Sequence, residues 1–216
     1  MIRSPFYCGA AGLLTILFSL NSMADRYFET QRKNSLTPNH CQELDIVDFN
    51  GPIDWVSYSV KGGKEAGFTD EINIGRHEAG LMWRYFKAGQ GRASSIRREL
   101  YKNPRTKELL DTLEEYGRIM DYDYKVEGEI LEVLSLVDLA NQFNPNEFFF
   151  TGGYAYSNTK GRVVGELDII VGRRSDCRIV VVGESKLGIS RLGKAKRQLQ
   201  RFRSFKDRVL SGGFKL

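Results

Sequence analysis

The chain has 216 residues, 41% hydrophobic and 27% charged, which excludes a disordered protein and suits one or two globular domains. Its net charge of +5 favours an anionic partner. The charge is uneven: between Ser190 and Leu216 nine Lys or Arg stand against one acid, Asp207.

At the N-terminus Arg3 precedes an uncharged run, and Gly9 to Leu20 is mostly apolar. Ser22 and Ala24 then stand at the −3 and −1 positions of a cleavage site. The pattern reads as a secretory signal over residues 1–24, with an apolar core too short to span a bilayer. An uncleaved anchor and a true start at Met23 are the other readings. A real signal sends the chain to the periplasm or outside the cell, whereas a start at Met23 leaves it in the cytoplasm. Export permits Cys41 and Cys177 to pair, and two buried thiols are the alternative.

Residues 25–38 are polar and read as a loose lead-in. Glu43 to Phe49 alternates acidic and apolar residues as a strand does, Asn50 to Pro52 marks a turn, and Ile53 to Val60 reads as a second strand, together a hairpin. Thr69 suits the cap of a short helical piece through Ile74. Glu78 to Ala88, Ala93 to Tyr101 and Pro104 to Met120 carry helical patterns. A division between two parts falls near Ile119 to Tyr124, giving an extension over 25–120 and a second domain over 121–216. The glycine-rich run Gly62 to Gly67 lacks the spacing of a phosphate loop and reads as a turn. His40 and His77 form no spaced cluster with the cysteines.

The second part is more regular. Lys125 to Phe143 spaces Val126, Ile130, Val133, Leu134, Val137 and Ala140 as an amphipathic helix. Strands follow over Glu147 to Ser157, Val163 to Val171 and Arg178 to Lys186. Leu192, Ala195, Leu199, Phe202, Phe205 and Val209 form the stripe of a last helix. Two of the strands carry charge in alternation: Glu166 with Asp168, and Glu184 with Lys186. Residues two apart in a strand share a face. Paired as a hairpin, the runs bring three carboxylates and an ammonium to one end of a small sheet. Such charges inside apolar strands are costly unless they pair or hold a metal.

An aspartate, a hairpin and then E-x-K resembles the PD-(D/E)XK nucleases, nearest to Holliday-junction resolvases and RecB-type nucleases, over residues 125–210. The resemblance implies an α/β (α+β) fold with a restriction-endonuclease-like core, helix–three strands–helix around a small mixed sheet. It implies an endonuclease that hydrolyses phosphodiester bonds, in DNA ahead of RNA, with Mg2+ or Mn2+. Hard cations of this kind bind carboxylate and carbonyl oxygen. Asp168, Glu184 and the Ser185 carbonyl would be ligands, with Glu127 from the first helix, Glu129 as the fallback, and Glu166 reaching through water. Lys186 would orient the attacking water or stabilise the transition state. Gln198 fits a Q-L-x-x-aromatic pattern whose glutamine reaches the active site. Lys194, Lys196, Arg197 and Arg201 would track the phosphate backbone, though a solvated helix face gives the same pattern.

Three features depart from the family. Leu167 replaces the naming proline, Gly183 is unusual inside a strand, and the usual fourth strand is missing at the C-terminus, so a strand from the first half completes the sheet or the sheet stays small. A homodimer is compatible with the sequence. A non-catalytic nucleic-acid-binding module on the same fold, and an exported interaction protein whose Glu184 and Lys186 face solvent, are the competing readings.

Overall fold

The computed structural model describes residues 27–30 and 32–212. The expected signal segment, residues 1–24, lies outside the described residues. No helix among the described residues is long and apolar enough to cross a membrane.

The fold is mixed α and β. In chain order the strands and helices are β1 (Phe28–Glu29), β2 (Asp54–Val60), β3 (Asp70–Ile72), α1 (Arg76–Lys87), α2 (Gln90–Leu100), α3 (Pro104–Ile119), α4 (Gly128–Ala140), β4 (Phe148–Thr151), β5 (Tyr154–Ser157), β6 (Val163–Leu167), β7 (Ile169–Arg173), β8 (Ile179–Lys186) and α5 (Leu192–Leu210). A five-stranded sheet has the order β3-β2-β8-β7-β4, and a three-stranded sheet the order β1-β5-β6. In the larger sheet β3, β2 and β8 are parallel, while β7 and β4 are antiparallel to their neighbours.

The first half departs from its expected elements for local reasons. Residues Ile46–Phe49 form a 3-10 turn rather than a strand. Asp45 caps it, accepting from the Ile46 N–H, while Asp48 accepts from the Asp45 N–H. The acids that suggested alternation are therefore a capping pair. Thr69 starts no helix: its hydroxyl accepts from the Ser57 N–H and donates to the Ser57 carbonyl. That pins the following residues beside β2 as the parallel strand β3. The expected hairpin does not form, because β2 pairs with β8 and β3 instead. The helices over 78–88, 93–101 and 104–120 are present as α1, α2 and α3, with bounds shifted by up to three residues.

Strands from the first half thus complete the sheet of the second. The segment joining α3 to α4 lies in the core, with Met120, Tyr122 and Tyr124 buried. One apolar cluster gathers α1, α3 and α4 against Tyr58, Val60, Phe150, Ile169, Val171 and Val181. The other gathers α5, through Phe202 and Phe205, against Phe149, Tyr156, Ile170, Ile179 and Val182. On β7, Ile169 and Val171 serve the first cluster and Ile170 the second; on β8, Val181 serves the first and Val182 the second, and a register shift against β7 turns Ile179 to the second as well, so the sheet is covered on both faces. Gly183 opposes Val56 and Ile169; a Cβ there would lie 2.5 Å from Val56 Cγ2. Its smallness serves the packing of neighbouring strands.

Cys41 and Cys177 form a disulfide, tying the segment before β2 to the β7–β8 turn. Cys41 Sγ, Cys177 Sγ and a ring nitrogen of His40 lie within 4.8 Å of one another, a proximity that sequence spacing did not suggest. The disulfide removes both sulfurs as metal ligands.

Candidate active site

The site grows from a bend shared by two strand pairs. The expected strand Val163 to Val171 is broken at Asp168: β6 belongs to the small sheet and β7 to the large one. The expected strand Glu147 to Ser157 is broken opposite, at Gly152 and Gly153, into β4 and β5. A Cβ on Gly152 would lie 2.1 Å from the Asp168 carbonyl oxygen, so a glycine lets the two bends pass. Gly153 adopts φ +69° and donates to the Leu167 carbonyl at 2.8 Å.

The register Ile169 opposite Gly183 brings Asp168 beside the end of β8. Asp168 Oδ2 accepts from the Ser185 N–H at 3.0 Å and from Lys186 Nζ at 2.7 Å. Lys186 Nζ also donates to Glu184 Oε2 at 2.7 Å and to the Ser185 carbonyl at 2.8 Å. One ammonium therefore joins Asp168, Glu184 and Ser185, three groups singled out from sequence. Glu184 is fully buried and the Lys186 side chain is 14% exposed.

Burial pushes the Glu184 carboxyl up to about 9, and the neighbouring Asp168 charge adds to the shift, against the opposing effect of Lys186. Burial alone would lower the Lys186 ammonium, but Asp168 and Glu184 outweigh it and hold it above its ordinary value. Glu166, exposed at the rim on β6, is raised by desolvation and then by Asp168.

Helix α4 supplies two further acids, and neither is Glu127. Glu127 precedes the helix and turns toward α1, where it accepts from Arg76 at 3.3 Å. Glu129 and Glu132, three apart and so on one face, turn inward. Glu129 is 6% exposed and pairs with Arg32 at 2.8 Å; Glu132 lies 4.0 Å from the same guanidinium. Burial raises the Glu132 carboxyl well above its usual range, with Asp168 the next cause. Arg32 also stacks 3.9 Å over the ring of the buried Tyr122. Sequence reasoning missed Arg32, Tyr122 and Glu132. Arg32 lies in a polar lead-in that carries no periodic signal. Glu132 was hidden because α4 is buried on several sides, so an apolar stripe does not identify which face meets the strands.

Five carboxylates (Glu129, Glu132, Glu166, Asp168 and Glu184) thus face two cations, Arg32 and Lys186. Among the described residues, the acid oxygens Glu184 Oε1 and Glu129 Oε2 are buried without a hydrogen-bond partner. Orphaned buried acceptors of this kind are rare in folded proteins and call for a cation, a proton or a water. The donors are all oxygen, the set that hard divalent ions prefer.

On α5, Gln198 faces inward on the stripe of Ala195 and Phe202, and its Oε1 is buried with no partner among the described residues. No hydrogen bond joins it to the acid–lysine cluster among the described residues. Lys194, Lys196, Arg197 and Arg201 are all exposed. No protein-family model, no curated protein and no solved structure matches this chain. Fold and site define an α+β protein whose acid–lysine cluster sits where one sheet bends into another.

Proposed function

We propose that the chain is a Mg2+- or Mn2+-dependent nuclease, cleaving DNA ahead of RNA, on a restriction-endonuclease-like core. The observation that carries this reading is the Lys186 ammonium, fixed between Asp168, Glu184 and the Ser185 carbonyl at the end of β8. The strand β2, parallel to β8, would stand as a fourth strand of such a core. Buried Glu184 and half-buried Lys186 also sit poorly with an interaction protein whose ion pair would face solvent.

The residues present fit a hard divalent ion. Asp168, Glu184 and the Ser185 carbonyl would hold it, with Glu166 at the rim through water and Glu132 adding negative charge from α4. When bound, the ion neutralises charge on the scissile phosphate and makes the attacking water more acidic. Glu184 would release its proton as a cation enters, since an adjacent positive charge favours the ionised carboxylate. Lys186 stays charged and immobile, so its ammonium can stabilise negative charge developing on phosphate without reorganising. Arg32 offsets Glu129 and Glu132 and positions them. The exposed cations of α5 would hold phosphates without reading sequence.

The test is cleavage of single-stranded, duplex and branched DNA and of RNA, with Mg2+, Mn2+ or EDTA, beside calorimetric titration of Mn2+. Metal-dependent cleavage and Mn2+ binding, both lost in Asp168→Asn, are expected. DNA binding without cleavage would move the reading to a non-catalytic module. Neither binding nor cleavage would sink it in favour of an interaction protein.

A further inference from the structure

The first half of the chain holds a second basic surface. Between Arg76 and Lys107 nine Lys or Arg stand against two acids, Glu78 and Glu99. Both acids are already engaged, Glu78 by Arg105 and Glu99 by Lys102. Arg84, Lys87, Arg92 and Arg98 are exposed and, among the described residues, have no carboxylate partner. At 3.6 residues per turn, Arg76, Arg84 and Lys87 fall within an arc of roughly 80° on α1 and span about 16 Å along it.

The topology places this surface next to the acid–lysine cluster. β2 and β8 are parallel, with Ser59 opposite Lys186, so both strands end on the same side of the sheet. Ligand sites in sheets with parallel strands lie beyond those C-terminal ends. Two connections leave from there. Beyond β8 the chain passes Gly188 into α5; beyond β2 it passes β3 into α1. They meet at Gly188: a Cβ there would lie 3.3 Å from Arg191 Cγ and 3.5 Å from Arg76 Nη1. The basic face of α1 and the basic start of α5 thus adjoin two residues beyond Lys186.

We infer that α1 and the start of α2 form a second phosphate-binding wall, so that a nucleic acid lies against α1 on one side of the scissile phosphate and against α5 on the other. This rests on the nuclease reading and narrows its substrate to chains long enough to extend both ways from the cut. The length of α1 alone matches about five base pairs of duplex. Glu127 answers Arg76 at the start of α1, while Arg84, Lys87 and Arg92 beyond it keep their charge for phosphate, a contact that carries no sequence preference.

The test is binding of a 30-base-pair duplex to the full chain in EDTA, by fluorescence anisotropy, across 50–300 mM KCl. Arg84→Ala/Lys87→Ala/Arg92→Ala is compared with Lys196→Ala/Arg197→Ala, after thermal unfolding shows both folded. Each lost phosphate contact should flatten the slope of log affinity against log salt by about 0.9. The α1 variant is expected to flatten it by about 2 to 3 and the α5 variant by about 2, with the effects adding when combined. A native slope in the α1 variant, with a flattened one in the α5 variant, would overturn this inference and leave the nuclease reading standing. Absence of duplex binding by the native protein would remove both.

Discussion

Replacing Glu184 by Gln should stabilise the metal-free protein by an amount that grows with pH. Glu184 is buried and held at about 9 against an ordinary 4.5. Between those values the native state keeps a proton that the unfolded chain has released, so native stability falls as pH rises, and levels off above about 9. Each pH unit in that window corresponds to at most about 1.4 kcal/mol, which bounds the effect at roughly 3 kcal/mol at pH 7. Glutamine mimics the protonated acid and can still accept from Lys186, which keeps Asp168 as its counter-charge at 2.7 Å. The variant should therefore match the parent near pH 4.5 and gain about 1–3 kcal/mol by pH 7, raising Tm by several degrees for a chain of this size. Urea unfolding in EDTA at half-unit pH steps gives the difference directly. A difference that does not change with pH, or that reverses sign, would refute the argument that this carboxylate is held protonated by burial. Mg2+ should stabilise the parent and not the variant, because only the parent offers the second carboxylate.

Three further perturbations probe the frame around the site. Lys186→Met leaves Asp168 buried without its cation and should cost about 3 kcal/mol in EDTA, with a steeper decline as pH rises; urea midpoints unchanged from the parent would show that the ammonium is not the counter-charge. Gly152→Ala drives a methyl onto the Asp168 carbonyl, a backbone contact with little freedom to give, so a loss of at least about 3 kcal/mol is expected; a native melting curve would show that the two bends are not packed as described. Cys41→Ser/Cys177→Ser opens a link across a separation of 136 residues and should cost about 4–5 kcal/mol on the loop-entropy account; equal stability with and without reductant in the parent would contradict a structural disulfide.

Much of the second half was legible because its signals are local. The alternation of Glu166 with Asp168, and of Glu184 with Lys186, follows from strand period alone, and the apolar stripe of α5 follows from helix period. These gave the helix–strands–helix order and the residues that gather at Lys186. The bends were not legible as such: Val163 to Val171 reads as one strand, and only the packing of Gly152 against Asp168 shows that it serves two sheets. Glu127 illustrates a further limit. Its spacing from Ile130 and Leu134 is right for a shared face, but the helix begins after it, and Arg76 draws it toward α1.

Sequence by itself determined the periodic elements, the paired charges on the strands and the cationic face of the last helix, because each depends on residues a few positions apart. Tertiary structure decided which strands pair, which acids of α4 turn inward, and that Arg32, more than 90 residues away in the chain, answers them. It also decided the partner of β2: a parallel neighbour is chosen by long-range packing, and no turn between the strands announces it.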